Sequence, residues 1–323
     1  MRAVVYSAYG PLDGLGLSDS PVPEVGGDDV LIRARAAGLH VGDVFLVRGA
    51  PLPVRAMAGW LRPRLGIPGC DVAGEVVATG PKVTGFQPGD AVFGACLGGA
   101  CAELVRTSAR QIAHKPQNLT FEEAAAVPTS GLAALHALRD TGKLKEGQRV
   151  LINGASGGVG TFAVQIAKAL GARVTGVCGP ANLGLVRSLG ADEVIDYTRA
   201  DFTAARPGYD VILDNVENRT LAECRRALTP AGMLILNSGT GARGLAMLVR
   251  LIKPLVLSPF VRHSLRRYLS TPNHDDLVAL RELIEAEKIE PIVDKTYPLA
   301  QTAAALAYIE SGHARGKVVV TIT

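Results

Sequence analysis

Two rhythms of hydrophobic positions run along the chain. Through residues 1–120 the apolar runs are short and cut by turn signals. They include Val4-Val5-Tyr6, Val30-Leu31-Ile32-Arg33-Ala34, Val72-Ala73-Gly74-Glu75-Val76-Val77, Ala91-Val92-Phe93 and Ala102-Glu103-Leu104-Val105, with Pro88-Gly89-Asp90 among the breaks. Strands of this length and spacing predict a mostly antiparallel, barrel-like domain. Near residue 120 the rhythm changes. Thr120 and Glu123 form a capping-box pattern ahead of an Ala-rich helical stretch that runs to Leu138. Strands then alternate with helices. The strand candidates are Arg149–Asn153, Arg173–Cys178, Glu193–Asp196, Tyr209–Asn215 and Gly232–Ser238. Between the first two, Val159, Phe162, Ala163, Ile166, Ala167 and Leu170 recur at helical spacing, which predicts one apolar stripe. Gly171 and Gly190 stand where helix C-caps need positive φ. Alternation of this kind implies a parallel sheet with helices on both faces. Beyond Pro272 the pattern predicts a helix (Asp275–Glu287), a strand (Pro291–Thr296), a helix (Gln301–Ser311) and a last strand, Lys317-Val318-Val319-Val320, able to close either domain.

Composition narrows the class. The 323 residues suggest two domains. At 48% hydrophobic the chain has material for a sizeable core, which excludes intrinsic disorder. Lys and Arg total 34 against 30 for Asp and Glu, evenly spread, so there is no electrostatic footprint for nucleic acid. The five cysteines, at 70, 96, 101, 178 and 224, contain no C-x-x-C pair. A disulfide framework is not expected, and a reducing compartment is. Met1 leads directly into strand-like sequence and no apolar run reaches about 18 residues. The expectation is a cytoplasmic protein without stable membrane insertion. Residues 244–262 stand apart: apolar, with Arg250, Lys253 and Arg262, and interrupted by Pro254 and Pro259. A substrate lid, a buried helix at a dimer interface and weak membrane contact all remain open. As a lid it would turn Met247, Leu248, Leu251, Leu255 and Phe260 toward an apolar substrate.

The central motif is Asn153-Gly154-Ala155-Ser156-Gly157-Gly158-Val159-Gly160, following a strand and opening a helix. A helix N-terminus presents free N–H groups and the positive end of the peptide dipoles, and so takes a pyrophosphate. Side chains in the loop would hold the phosphate away or push the helix off its strand. The alternative is a tight βα turn that binds nothing. After the second strand, Val177-Cys178-Gly179-Pro180-Ala181-Asn182 carries no acid, and none appears until Asp192. An acid there would repel a 2′-phosphate, so the sequence favours NADPH over NADH, although no Arg or Lys sits on the loop.

Val150-Leu151-Ile152 leading into that loop, Ser188-Leu189-Gly190-Ala191-Asp192 and Val194-Ile195-Asp196-Tyr197 resemble the medium-chain dehydrogenase/reductase superfamily, and within it the zinc-independent quinone oxidoreductase-like branch. Ala36-Ala37-Gly38-Leu39-His40-Val41-Gly42-Asp43, Pro68-Gly69-Cys70-Asp71-Val72-Ala73-Gly74, Phe86–Gly94 and Gly316-Lys317-Val318-Val319-Val320 agree. The resemblance implies an α/β fold. A doubly wound Rossmann domain (residues 123–272, strand order 3-2-1-4-5-6) is inserted into a GroES-like, mostly antiparallel catalytic domain (residues 1–122 completed by 273–323). It also implies hydride transfer from NADPH to a quinone or an activated C=C bond, in a cleft, usually in a homodimer. Cofactor contacts carry over to Ala155, Ser156, Gly157, Gly158, Val159, Gly179, Asn182, Tyr197, Asn215 and Ser238. Three residues depart from the pattern. Gly179 stands where relatives often place Ser, Asn182 where some place Lys, and Glu217 where Gly is usual.

By the same resemblance His40, Cys70 and Thr129 occupy the positions of catalytic zinc ligands in zinc-dependent members. A third ligand would have to be Asp43, Asp71 or Cys101, and no metal is expected. Cys70 then becomes a small filler of a substrate pocket that Phe45, Met247 and Leu251 also line. His40 is the candidate donor to the oxygen that gains charge as hydride arrives. Asp43 would orient it, and Thr129 would lie near the nicotinamide. The expected partner is a small apolar electrophile. Two other functions stay open: a zinc-dependent alcohol dehydrogenase using His40 and Cys70, and a non-catalytic NADPH-binding protein.

Overall fold

In a computed structural model of the protein, the structure describes residues 1–64, 66–204, 208–237, 258 and 261–323. In chain order the main elements are β1 (Arg2–Val5), β2 (Gly16–Asp19), β3 (Asp29–Leu39), α1 (Val41–Arg48), α2 (Pro53–Ala58), β4 (Asp71–Thr79), β5 (Ala91–Ala95), β6 (Leu104–Ser108), β7 (Ile112–His114), α3 (Phe121–Ala125) and α4 (Pro128–Leu135). There follow β8 (Arg149–Asn153), α5 (Gly158–Ala169), β9 (Arg173–Cys178), α6 (Leu183–Ser188), β10 (Glu193–Asp196), β11 (Tyr209–Asp214), α7 (Leu221–Ala227), β12 (Leu228–Leu236) and β13 (Ser264–Arg267). The described chain closes with α8 (His274–Glu285), β14 (Val293–Pro298), α9 (Thr302–Glu310) and β15 (Lys317–Thr321). It divides into two compact units: Met1–Leu132 with Thr271–Glu287 and Pro291–Thr323, and Ala133–Ser270 with Lys288–Glu290. Among the described residues no helix is long and apolar enough to cross a membrane.

The first unit is built on a seven-stranded sheet in the order β14-β15-β3-β4-β5-β7, with β6 also paired to β3. Every pairing is antiparallel except β14 with β15. The long strand β3 is its hub, pairing with β15, β4 and β6. Its apolar side joins Val72, Val92, Val105, Ile112, Val318 and Val320 in one core. The Ala-rich helical stretch is broken. The Thr120 capping box opens α3, and a new helix starts at Pro128. Proline has no N–H to continue a helix but suits its first turn.

The second unit is a parallel sheet of order β10-β9-β8-β11-β12-β13, which is 3-2-1-4-5-6 counted from its first strand. Buried runs such as Val150-Leu151-Ile152 and Val211-Ile212-Leu213 reflect a sheet covered on both faces. Helix α5 buries more than its apolar stripe, because Thr161 and Gln165 are buried too. Gln165 is satisfied there by the backbone of Glu290, donating to its carbonyl at 2.9 Å and accepting from its N–H at 2.8 Å. Gly171 and Gly190 have φ of 78° and 98°.

Candidate active site

In the first unit the site grows from the end of β3. The chain leaves Leu39 in extended conformation, and His40 becomes the N-cap of α1. Its Nδ1 accepts from the Gly42 N–H at 2.9 Å, while Asp43 Oδ2 accepts from the His40 N–H at 2.9 Å. A backbone N–H only donates, so Nδ1 is an acceptor and the neutral ring carries its proton on Nε2. That Nε2 is buried with no hydrogen-bond partner among the described residues, 3.7 Å from Asp43 Oδ2. Asp43 is fully buried, and among the described residues no donor meets its Oδ1 with hydrogen-bond geometry. Cys70 sets its thiol against the same carboxylate. Although the residue is partly exposed, burial of the sulfur, followed by the charge of Asp43, pushes that thiol well above its ordinary pKa. One ligating-type atom from each of His40, Asp43 and Cys70 lies within 4.8 Å of the others.

A second cluster stands one residue further, where β4 begins. Asp71 is fully buried. Its Oδ1 accepts from Thr129 N at 3.0 Å and from Thr129 Oγ1 at 2.5 Å, and its Oδ2 accepts from Lys317 Nζ at 3.3 Å. Lys317, only 2% exposed, opens the apolar strand β15. The hydroxyl proton of Thr129 is thus committed to Asp71. Lys317 was not among the expected site residues; a lysine buried at the head of a run of valines needs a charged partner, and Asp71 supplies it. Phe45 lies half-buried on α1. The other two expected pocket residues, Met247 and Leu251, fall outside the described residues, as does most of 244–262.

In the second unit the glycine loop joins β8 to α5. Gly154 takes φ of 78°, and a Cβ on Gly160 would come within 2.1 Å of the Gly154 carbonyl. Only glycine lets the helix start so close to the loop. Gly157, the N-cap, offers no side chain to the first turn of α5. Among the described residues its own Cβ would be unobstructed, with the Gly154 carbonyl 3.6 Å away. The initial N–H groups of an α-helix have no intrahelical acceptor and suit an anion. Around the loop, Asn182 Nδ2 donates to Ser156 Oγ at 3.2 Å. Tyr197, 56% exposed, lies beside Gly179, whose Cβ would sit 3.4 Å from its ring. Asp196, next to this edge, closes a turn on Thr198 with its carboxylate, which holds it below the usual pKa range.

The carboxyl ends of β8, β11 and β12 are tied together by amides. Asn215 donates to the Asn153 carbonyl through N and Nδ2, at 3.2 and 3.1 Å, and accepts from Asn237 Nδ2 at 2.9 Å. Asp214 Oδ1 accepts from Asn153 Nδ2, Val216 N and Glu217 N. Burial outweighs these bonds and raises its pKa. Asp214 and Asn237 were not singled out by sequence, and Asn153 was named only as the first residue of the glycine motif. Ser238 lies outside the described residues. Glu217 adopts φ of 54°, the left-handed conformation that glycine accepts freely. Its carboxylate forms a two-pronged pair with Arg267 at 3.0 and 2.7 Å, an interaction that glycine has no side chain to make. Ala155, Ser156, Gly157, Gly158, Val159, Gly179, Asn182, Tyr197 and Asn215 therefore gather along one edge of this sheet, where open α/β sheets bind ligands.

Comparison with known proteins agrees with this architecture. Residues 26–137 match the alcohol dehydrogenase GroES-like domain, and residues 189–320 match a family described as zinc-binding dehydrogenase. NAD(P)H oxidoreductase RTN4IP1, mitochondrial, from Mus musculus is 37% identical, over 79% of this chain and 70% of its own. The chloroplast envelope quinone oxidoreductase homolog of Arabidopsis thaliana is 32% identical over 99% and 98%. The 2-methylene-furan-3-one reductase of Solanum lycopersicum is 32% identical over 99% and 79%. Among solved structures, the quinone oxidoreductase from Coxiella burnetii superposes with a TM-score of 0.86 at 29% identity, over 100% and 99% of the two chains. Mycobacterial Rv1454c complexed with NADPH gives 0.84 at 27% over both whole chains. The fold of each unit and these matches define a medium-chain dehydrogenase/reductase. Within that superfamily the chain belongs to the quinone oxidoreductase-like branch, and it is an NAD(P)H-dependent oxidoreductase.

Proposed function

We propose that the protein reduces quinones or the activated C=C bond of α,β-unsaturated carbonyls with NADPH and without a metal. When bound, NADPH supplies the hydride. The N-terminus of α5 would take its diphosphate, and Ser156, Gly179, Asn182 and Tyr197 would surround the adenosine end. NADPH is preferred to NADH because no acid stands between Val177 and Asp192 and the nearby Asp196 is spent on its own turn. The observation that carries the chemistry is the buried Nε2 of His40, which no described residue engages in a hydrogen bond. A donor held in that state meets negative charge as it develops on a substrate oxygen, without first breaking a bond of its own. Asp43 fixes the turn that aims the ring, and the Asp71–Lys317 pair fixes Thr129.

The family description invites a metal, and His40, Asp43 and Cys70 converge closely enough to suggest one. The donor set does not fit. Nδ1 is occupied by the Gly42 N–H and Nε2 carries the proton, so ligation would require an imidazolate or a broken helix cap. The working form is proposed as a homodimer in the cytoplasm, acting on a small apolar electrophile. Five free cysteines accord with a reducing compartment. NADPH oxidation assayed against quinones, enones and simple alcohols tests the proposal. Turnover of quinones or enones that survives a chelator is expected. Alcohol oxidation alone, abolished by a chelator, would replace it with the zinc alcohol dehydrogenase alternative.

A further inference from the structure

We propose that the surface around Trp60 and Leu61 docks the protein reversibly onto a bilayer leaflet bearing anionic headgroups. This inference goes beyond the reductase proposal and does not depend on its coenzyme or substrate. Leu52, Trp60 and Leu61 are 63%, 63% and 86% exposed, among the largest apolar exposures in the described chain. Residues 44–70 contain four arginines and no acid. Two of the arginines are engaged by the body of the unit. Arg48 pairs with Glu310 at 2.5 Å, and Arg55 donates to the Gly49 carbonyl while its guanidinium lies 4.7 Å over the Tyr9 ring. Arg62 and Arg64 are exposed and form no ion pair with a described residue.

The tip is held in shape. Tyr9 Oη donates to the Gly59 carbonyl at 2.5 Å, Gly59 N to Arg55 O at 2.9 Å and Arg64 N to Ala58 O at 2.7 Å. Trp60-Leu61-Arg62 is therefore presented outward from a fastened base beside α2. An indole, an aliphatic side chain and a free guanidinium at consecutive positions match the layers of a membrane interface. Indoles settle at headgroup level, aliphatics reach the acyl boundary, and guanidinium groups meet phosphate. The charge decides between occupants. A second copy of this surface would bring Arg62 and Arg64 against like charge, whereas an anionic leaflet complements them.

The chain contains one tryptophan, so indole fluorescence reports from this surface alone. The whole protein, without nucleotide, is titrated with phosphatidylglycerol–phosphatidylcholine vesicles and, separately, with phosphatidylcholine vesicles. Co-sedimentation provides a second readout. The expected result is a blue shift and pelleting with the anionic vesicles, and much weaker effects with the zwitterionic ones. Arg62→Gln/Arg64→Gln should weaken vesicle binding about 30-fold, and Leu61→Gln should weaken it further while circular dichroism stays unchanged. Four results would each overturn the proposal: no shift or pelleting at saturating anionic lipid, equal binding to both vesicle types, indifference to the double arginine variant, or a lipid-free blue shift that grows with protein concentration. The last would assign the surface to self-association. NADPH affinity measured on the same preparations keeps a failure here separate from a failure of the reductase proposal.

Discussion

The imidazole of His40 caps α1 through Nδ1, so replacing it touches helix stability and the proposed proton donation together. His40→Ala should lose about 1 kcal/mol of stability with the cap and lower kcat by about 10²-fold. His40→Asn separates the two effects. Asparagine is a strong N-cap and can accept from the Gly42 N–H, but it cannot reproduce the Nε2–H. Its melting temperature should stay near that of the parent while the rate loss remains. A His40→Asn enzyme with full kcat would remove His40 from the chemistry. The buried pair behind Thr129 behaves differently. Lys317→Met leaves the Asp71 carboxylate enclosed without its cation, which should cost about 3–5 kcal/mol. Adding Asp71→Asn should return much of that loss, because the uncompensated charge is gone. Urea denaturation of both single variants and the double variant gives the coupling directly. His40 was legible because its motif marked it. Lys317 was legible only as a motif letter, since its partner lies 246 positions away.

At the level of elements, the start of α5 carries the nucleotide prediction. Gly160→Ala would drive a Cβ into the Gly154 carbonyl, so it should destabilise the unit and lose NADPH binding together. Gly157→Ala is the sharper probe, since its Cβ meets no close atom and its φ of −84° suits alanine. Its melting temperature should hold while NADPH affinity, measured by calorimetry, falls, because the methyl group would occupy the space of the diphosphate. Affinity equal to the parent would move the diphosphate off this loop. Nearby, Asp192 ties β9 to α5: Oδ2 accepts from Val174 N at 2.6 Å, and Lys168 Nζ lies 2.9 Å from Oδ1. Burial acts to raise its pKa, but the Val174 N–H and Lys168 together bring it below the ordinary value. With the folded pKa below the unfolded one, its stabilisation is complete above about pH 4 and is lost as pH falls through the folded value. The melting-temperature gap between the parent and Asp192→Asn should therefore be widest at neutral pH and close in acid. Three strands of this unit, β8, β9 and β10, begin and end where the apolar runs do. Periodicity reads β8 and β9 well because their runs are buried on both faces, whereas the partly exposed edge strand β10 is set off by the polar residues around it. It could not foresee buried Gln165, whose satisfaction comes from the backbone of Glu290, 125 residues on. Nor did it read the break at Pro128, because helical composition continues through it.

Across the whole molecule, the second unit is inserted in sequence between segments of the first, whose sheet is completed by β15 lying antiparallel to β3. The apolar run Val318–Val320 announces a strand, yet nothing local names its partner. That information entered through the resemblance of the Gly316–Val320 motif to a known family, not through periodicity. The order 3-2-1-4-5-6 likewise came from resemblance, since alternating strands and helices imply a parallel sheet without ordering it. A chain assembled this way should respond to its coenzyme as a stability linkage. Ligand that binds only the folded state adds about 2.7 kcal/mol at 100 times its Kd, so NADPH should raise the melting temperature in proportion to the logarithm of its concentration. NADH should need a higher concentration for the same shift if the 2′-phosphate is recognised. Chelator and added zinc should leave both the melting temperature and kcat where they were. The discriminating case is a chelator that lowers stability and activity together, with zinc restoring both. Metal would then have displaced the Gly42 N–H from His40, and the donor role argued for the ring would pass to a bound cation.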